Sequence, residues 1–361
     1  MAEASREEIA LDYIEMYVEN LEKKTFAWVD RYGFSVVGTG GSADHRSTAL
    51  RHGDITLVLT EATSARHPAS GFVLAHGDGV ADIALRTPDA AAAFAAAVAG
   101  GAAPLREPAR RSGDGPRVTA AVAGFGDVAH TLVERDPGEG PGLPVGFVPA
   151  LGPQPDPAHP AGLTGVDHVA VCLAADDLEP VTARYERALG FRRVFADRTV
   201  IGAHAMRSQV VRSASGAVTL TLLAPDPAAG PGQTDEFLKD HHGPGVQHVA
   251  FAARDAVRAV RALSARGVAF LPAPAAGDGP PRAGSGAAGH RREELRAAGV
   301  FADADRDGEL FQAFTASTHP RRTLFFEITE RRGASTFGRA NIRGLYEAVE
   351  RERTGRGAFH G

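Results

Sequence analysis

Short β-branched runs alternate with helical spacings along this chain. DHVAVCL at 167–173 and AVTLTLL at 217–223 read as strands, because each is a brief apolar run rich in residues that suit a pleated surface. Between them, Val181, Tyr185, Ala188 and Leu189 recur at helical spacing and predict a helix over 178–189. It stops at Gly190, which has no Cβ to oppose a left-handed closing turn. Two stretches break the pattern. Residues 136–165 are rich in Pro and Gly without a sustained period and predict a linker between halves. Residues 272–290 have the same character and predict a loop inside the second half.

The two halves repeat one another. HGDGVADIAL at 76–85 aligns with HGPGVQHVAF at 242–251, and Asp12-Tyr13-Ile14 with Asp167-His168-Val169. Tyr32-Gly33-Phe34 parallels Leu189-Gly190-Phe191, and TLVE at 131–134 parallels LFFE at 324–327. Each half reads strand, helix, strands, and then the same again, which predicts an α+β fold with a curved sheet per half. The expected modules are residues 1–150 and residues 151–361.

The alignment exposes a chemical contrast. The second half carries His168, His248 and Glu327 where the first carries Tyr13, Asp82 and Glu134. Two imidazoles and one carboxylate on one face leave three positions of an octahedral ion open, the pattern of non-haem Fe(II) oxygenases. Any single histidine among 14 is more often a core or surface residue than a ligand, and Glu327 is equally readable as a buried acid paired with a local arginine. The repeat, which sets all three at parallel strand positions, is what raises the metal reading.

Composition narrows the rest. A net charge of -5 with interspersed signs offers no footprint for nucleic acid. The acidic start MAEASREEIALDYIE lacks a signal-peptide pattern, and no run approaches the ~20 apolar residues of a membrane span, so a cytoplasmic protein is expected. Cys172 is the only cysteine, which excludes an internal disulfide and a cysteine-cluster zinc site. DADRDG at 303–308 resembles the start of a calcium loop, but its twelfth position is Phe314 where an acid is required, so it reads as a turn. No phosphate-binding glycine loop with Lys-Ser or Lys-Thr and no Gly-x-Ser-x-Gly elbow is present.

GPGVQHVA at 243–250, LFQAFT at 310–315, TLFFEI at 323–328 and FGRANIRGLYEAVE at 337–350 together resemble the 4-hydroxyphenylpyruvate dioxygenase family. The resemblance covers nearly the whole chain, with its specific motifs after about residue 165. It implies two tandem vicinal-oxygen-chelate modules of paired βαβββ units, each a curved barrel-like sheet with flanking helices. It implies Fe(II) held by His168, His248 and Glu327 in the second module, and a small aromatic 2-oxo acid and O2 as reactants. Ser208, Gln233, Gln247 and Gln312 correspond to polar pocket positions, and Phe314, Phe325 and Phe337 to aromatic walls. The segment 337–350, with Asn341, corresponds to a helix that closes the pocket. The family is compatible with a homo-oligomer, although no surface in the sequence identifies an interface.

Four further positions bear on the product. The homogentisate-forming branch typically has Pro, Asn, Phe and Phe where this chain has Thr221, Leu223, Ile342 and Tyr346. These departures resemble the hydroxymandelate-forming branch, in which the benzylic carbon of 4-hydroxyphenylpyruvate is hydroxylated after loss of CO2. Leu223 can neither donate nor accept a side-chain hydrogen bond, whereas asparagine does both. Ile342 replaces a flat wall by a branched one. Formation of homogentisate is the alternative outcome of the same metal site.

Overall fold

The computed structural model describes residues 8–110, 115, 117–136, 142–152, 159–273 and 290–336, together with positions 344, 348 and 349. Phe337, Asn341, Ile342, Tyr346 and most of the expected 272–290 loop lie outside the described residues.

The first half runs β1 (Ala10–Tyr17), α1 (Leu21–Tyr32), β2 (Ser35–Gly41), β3 (His45–His52), β4 (Ile55–Ala62), α2 (Pro68–His76), β5 (Gly79–Arg86), α3 (Ala90–Ala99), β6 (Pro104–Arg110), β7 (Val118–Phe125), β8 (Val128–Glu134) and β9 (Val148–Pro149). The second runs β10 (Leu163–Cys172), α4 (Leu178–Leu189), β11 (Arg192–Ile201), β12 (His204–Arg212), β13 (Thr219–Pro225), α5 (Gln233–His241), β14 (Gly245–Ala253), α6 (Ala256–Ala265), α7 (Arg292–Ala298), β15 (Phe301–Ala304), β16 (Glu309–Phe314) and β17 (Phe325–Arg332). The sheets are ordered β6-β7-β8-β5-β1-β4-β3-β2-β9 and β11-β12-β13-β10-β14-β17-β16-β15. Read from opposite edges, and setting β9 aside, the two orders are the same, as a duplicated pair of βαβββ units requires. The predicted helix over 178–189 is α4, and it ends on Gly190 at φ 68°; α1 ends likewise on Gly33 at φ 71°. No described helix is long and apolar enough to cross a membrane.

Strand alternation divides each sheet into two faces. Ile14, Met16, Leu57, Leu59, Ile83 and Leu85 from the first half join Val169, Val171, Leu220, Leu222, Val249, Phe251 and Ile328 from the second in one buried cluster. The outer faces of both sheets therefore share a core. The opposite, inner faces hold the smaller clusters: Tyr13, Val58, Ala84 and Val133 in the first half, and Ala170, Cys172, Leu223 and Phe237 in the second.

Two expectations change. Part of the predicted linker is a strand: Val148–Pro149 pairs with Gly38 and Thr39 on the edge of the first sheet. It was illegible because two residues carry no period, and Pro149 is tolerated because an edge strand need not donate on its outer side. The repeat also shifts late in each half. Asp82 is opposite Ala129 and His248 is opposite Phe325, so the counterpart of Glu327 is Thr131, three residues before Glu134. Glu134 corresponds instead to Glu330. Each accepts from the first backbone N–H of the following-strand helix, Glu134 from Ala90 and Glu330 from Ala256.

Candidate metal centre

Pairing register brings the three residues together. His168 on β10 is opposite Ala250 on β14, Ala250 is opposite Glu327 on β17, and Glu327 is opposite Phe314 on β16. One step along, Ala170 is opposite His248, which is opposite Phe325. Cross-strand partners share a face, so all three side chains project from the inner face of adjacent strands. His248 Nε2 lies 3.3 Å from His168 Nε2 and 3.3 Å from Glu327 Oε2; His168 Nε2 lies 3.6 Å from Glu327 Oε2. Donors held about 2.1 Å from one ion at right angles stand about 3 Å apart, so this spacing fits a single ion. All three are buried, Glu327 at 1% exposure.

The backbone aims the imidazoles by the same device twice. β10 bulges between Val166 and His168, and β14 bulges between Val246 and His248, which leaves Asp167 and Gln247 as the extra residues. Each extra residue bonds the Nδ1 of the histidine after it. His168 Nδ1–H donates to Asp167 Oδ1 at 2.8 Å, and His248 Nδ1–H faces Gln247 Oε1 at 3.2 Å. A carboxylate only accepts, which assigns the proton to Nδ1 of His168 and leaves the Nε2 lone pair toward the centre. Asp167 is itself gripped by Arg331, whose Nε and Nη2 donate to its two oxygens at 2.7 and 2.9 Å. Burial pushes the Asp167 carboxyl up, but His168 and Arg331 outweigh it and hold it well below the usual range.

Glu327 is fixed through its other oxygen. Gln312 Nε2 and Thr329 Oγ1 each donate to Oε1 at 2.5 Å, which leaves Oε2 facing the imidazoles. Burial raises this carboxyl, and the two histidines and Thr329 bring it below its ordinary value, so it is ionised. Burial lowers His248, more than the neighbouring carboxylate restores, and keeps its ring neutral. A charged acid beside a neutral imidazole is the donor set a divalent cation takes.

The other expected residues surround this row. Phe325 stacks on His248 with centroids 4.8 Å apart, and Phe314 meets Phe325 edge-on at 6.4 Å. Ser208 is opposite Leu223, and Thr221 is opposite Ala170, so all three share the inner face. The Thr221 hydroxyl is buried without a hydrogen-bond partner among the described residues, whereas Ser208 Oγ donates to the Asp197 carbonyl at 3.4 Å. Gln233 opens α5, whose Phe237 packs on Ala170, Cys172 and Leu223. Of the expected polar lining, Gln312 and Gln247 contact the candidate ligands. Ala348 is buried against Leu271, Phe301, Phe314 and Phe325, which sets that part of the C-terminal segment on the aromatic wall.

Asp167 and Arg331 were not singled out from sequence. A signal was present: Asp12 and Arg135 form the same doubly bonded pair in the first half, at 2.9 and 2.6 Å, across 123 residues. A second cluster, Asp255, His290 and Glu330, also converges. Its acids are occupied: Asp255 accepts from Arg258 N at the start of α6, and Glu330 from Ala256 N and Arg332 at 2.7 and 2.5 Å.

Comparison with known proteins agrees with this geometry. Residues 9–141 match the family described as hydroxyphenylpyruvate dioxygenase, HPPD, N-terminal, and residues 167–285 match the glyoxalase/bleomycin resistance protein/dioxygenase superfamily. The 4-hydroxyphenylpyruvate dioxygenase of Aspergillus fumigatus is 30% identical over 96% of this chain and 93% of its own length. That of Danio rerio is 30% identical over 96% and 91%. A triply substituted 4-hydroxymandelate synthase from Streptomyces coelicolor superposes with a TM-score of 0.82 at 38% identity, covering 95% of this chain and 98% of that one. Fold and site define a metal-dependent dioxygenase of the vicinal-oxygen-chelate type. Within that class, the chain belongs to the 4-hydroxyphenylpyruvate dioxygenase family.

Proposed function

We propose that the chain oxidises 4-hydroxyphenylpyruvate to 4-hydroxymandelate and CO2, using Fe(II) held by His168, His248 and Glu327 in a catalytic module of residues 151–361. The observation that carries the metal assignment is the convergence of two Nε2 atoms and one carboxylate oxygen within 3.6 Å of one another in a buried row. His168, His248 and Glu327 would hold the ion, which would supply the redox chemistry that couples a 2-oxo acid to O2, with the substrate supplying the electrons. The module of residues 1–150 has Tyr13, Asp82 and Thr131 at the matching positions and is assigned no metal.

The protein's own part is placement. Arg331 holds Asp167, which fixes the His168 ring; Gln312 and Thr329 fix the Glu327 carboxylate. Phe325 covers one face of His248 and, with Phe314, keeps water from that side. The choice of benzylic over ring oxidation rests on the β13 wall. Leu223 packs with Ala170, Cys172 and Phe237, so this patch beside the ligand row offers an oxygenated ring no hydrogen bond. The ring-oxidising reading is favoured by the names of the curated relatives.

Mass analysis of the product from anaerobically iron-loaded protein given 4-hydroxyphenylpyruvate and O2 separates the two. Hydroxymandelate is expected; homogentisate as the main product rejects the benzylic assignment, and no O2 uptake rejects the substrate. His248→Ala should lose bound iron while keeping the wild-type far-UV spectrum. Normal iron content and turnover in that variant would contradict the ligand set.

A further inference from the structure

The inner face of the first sheet encloses a cavity of about 730 Å³. It is the counterpart of the metal-bearing face, with different chemistry. Register sets Tyr13 where the second half has His168, Asp82 where it has His248, and Glu15 where it has Ala170. Glu15 and Asp82 are direct cross-strand partners, so both carboxyls enter the cavity from its floor.

Of the two acids, Glu15 is the less engaged. Asp82 accepts from the backbone N–H of Thr131 at 2.9 Å and from its hydroxyl. Glu15 Oε1 accepts from Thr60 at 2.6 Å, and its Oε2 accepts from no described residue. The Tyr13 phenol, 8% exposed, lines the same space and makes no hydrogen bond to a described residue. Arg106 is the single Lys or Arg among the described lining residues, which also include His45, and its Nη2 donates to Thr131 at 3.2 Å. The remaining acid, Asp127, pairs with His76 at 2.8 Å. By formal charge, with His45 neutral, the described lining is therefore net negative. Burial and the facing Asp82 push Glu15 up to about 7, and burial raises Asp82 as well. Arg106 offsets only part of this charge, and under-compensated carboxyls at a cavity wall are costly to keep, where apolar residues would fill the space more stably.

The walls define what compensates them. Tyr17 and Phe72 meet edge-on at 5.5 Å on one side, and Phe147 packs over Tyr13 on another. The volume falls within the ~300–1,000 Å³ of small-molecule sites. No three described ligand-type side chains converge here as they do at the metal centre, so one small metal ion is not what the acids hold. We propose that this cavity is a second ligand site that binds a small aromatic amine, with its ammonium facing Glu15 and Asp82 and its ring against Tyr17, Phe72 and Phe147. The acidic lining excludes the anionic 2-oxo acids suited to the other module.

Calorimetric titration of the full-length, iron-loaded protein under nitrogen tests the proposal, with tyramine as probe and 3-(4-hydroxyphenyl)propionate as an anion of similar size. Tyramine should bind one saturable site, and the anion should not bind there. Glu15→Gln and Asp82→Asn should each weaken tyramine at least tenfold. Ala121→Phe, which copies Phe314 onto the matching position of the first sheet, should abolish binding by filling the cavity. His248→Ala should leave the tyramine affinity as in wild type. Wild-type far-UV spectra and Trp28 fluorescence in the three first-module variants show that they are folded. Absence of saturable binding, unchanged affinity in both acid variants, equal affinity for the anion, or loss of binding in His248→Ala alone would each overturn the site.

Discussion

Asp167 acts on the metal centre through an imidazole. Its two oxygens are divided between His168 and Arg331, so removing the charge frees both the ring and the arginine. Partners of this kind typically change metal affinity 10- to 100-fold. Asp167→Asn is therefore expected to bind iron ~10- to 100-fold more weakly, read as iron retained after dialysis against a graded chelator. Wild-type retention would show that the ring is fixed by packing alone. Residues of this type were harder to read in the sequence than the ligands. The ligands stood out because the repeat set His168 and His248 against Tyr13 and Asp82. Asp167 had an identical counterpart in Asp12, so it showed no contrast. Glu15 makes a prediction of a different sign. Its folded pKa, about 7, lies above its ordinary value. The folded state therefore holds the proton more tightly than the unfolded chain does. The destabilisation is absent below the ordinary glutamate range, grows as pH rises through it and is complete above about 7. Glu15→Gln should raise the melting temperature more at pH 8 than at pH 5. Equal gains at both pH values would mean that the carboxyl titrates as a solvated group.

Elements show why some of the site was legible and some was not. Strand β10, helix α4 and the Gly190 cap followed from local pattern, because apolar spacing and a missing Cβ are properties of neighbouring residues. The bulges at Asp167 and Gln247 did not, since a bulge exists only relative to a partner strand. The same limit explains the misplaced Glu134. TLVE and LFFE end alike, but β8 and β17 are registered by pairing, which aligns Thr131 with Glu327. Glu134 then has a capping role at α3, where its carboxylate accepts from Ala90 N at 3.1 Å. Loss of such a cap costs ~0.5–2 kcal/mol. Glu134→Ala should lower the unfolding free energy obtained from urea titration by that amount at unchanged iron content. An unchanged free energy would mean that the Ala90 N–H is satisfied without this carboxylate. Ile342 and Tyr346 were named from motif resemblance and lie outside the described residues.

At the scale of the whole molecule, the duplicated sheets do not fold around separate cores. Their outer faces meet, and Trp28 of α1 stands at the junction, 4.8 Å from Phe326 and 6.0 Å from Phe251 between ring centroids. The sequence announced two halves and gave no hint of this, because the residues concerned look like ordinary strand and helix interiors until both sheets are in place. A shared core couples the stability of the metal-bearing half to that of the half with the acidic cavity. Trp28 is the only tryptophan, so its fluorescence reports this junction without labelling. Denaturant unfolding followed by Trp28 fluorescence and by far-UV circular dichroism should give coincident transitions, the signature of one cooperative unit. Leu222, on β13 and fully buried in the common cluster, supplies the stricter test. Leu222→Ala removes buried methyl groups and should cost ~2–5 kcal/mol. If the core is continuous, both probes shift together by the full amount, although Trp28 belongs to the other half. A circular-dichroism transition that moves while the fluorescence transition stays in place would mean that the halves unfold independently, and that occupancy of one cavity cannot stabilise the other.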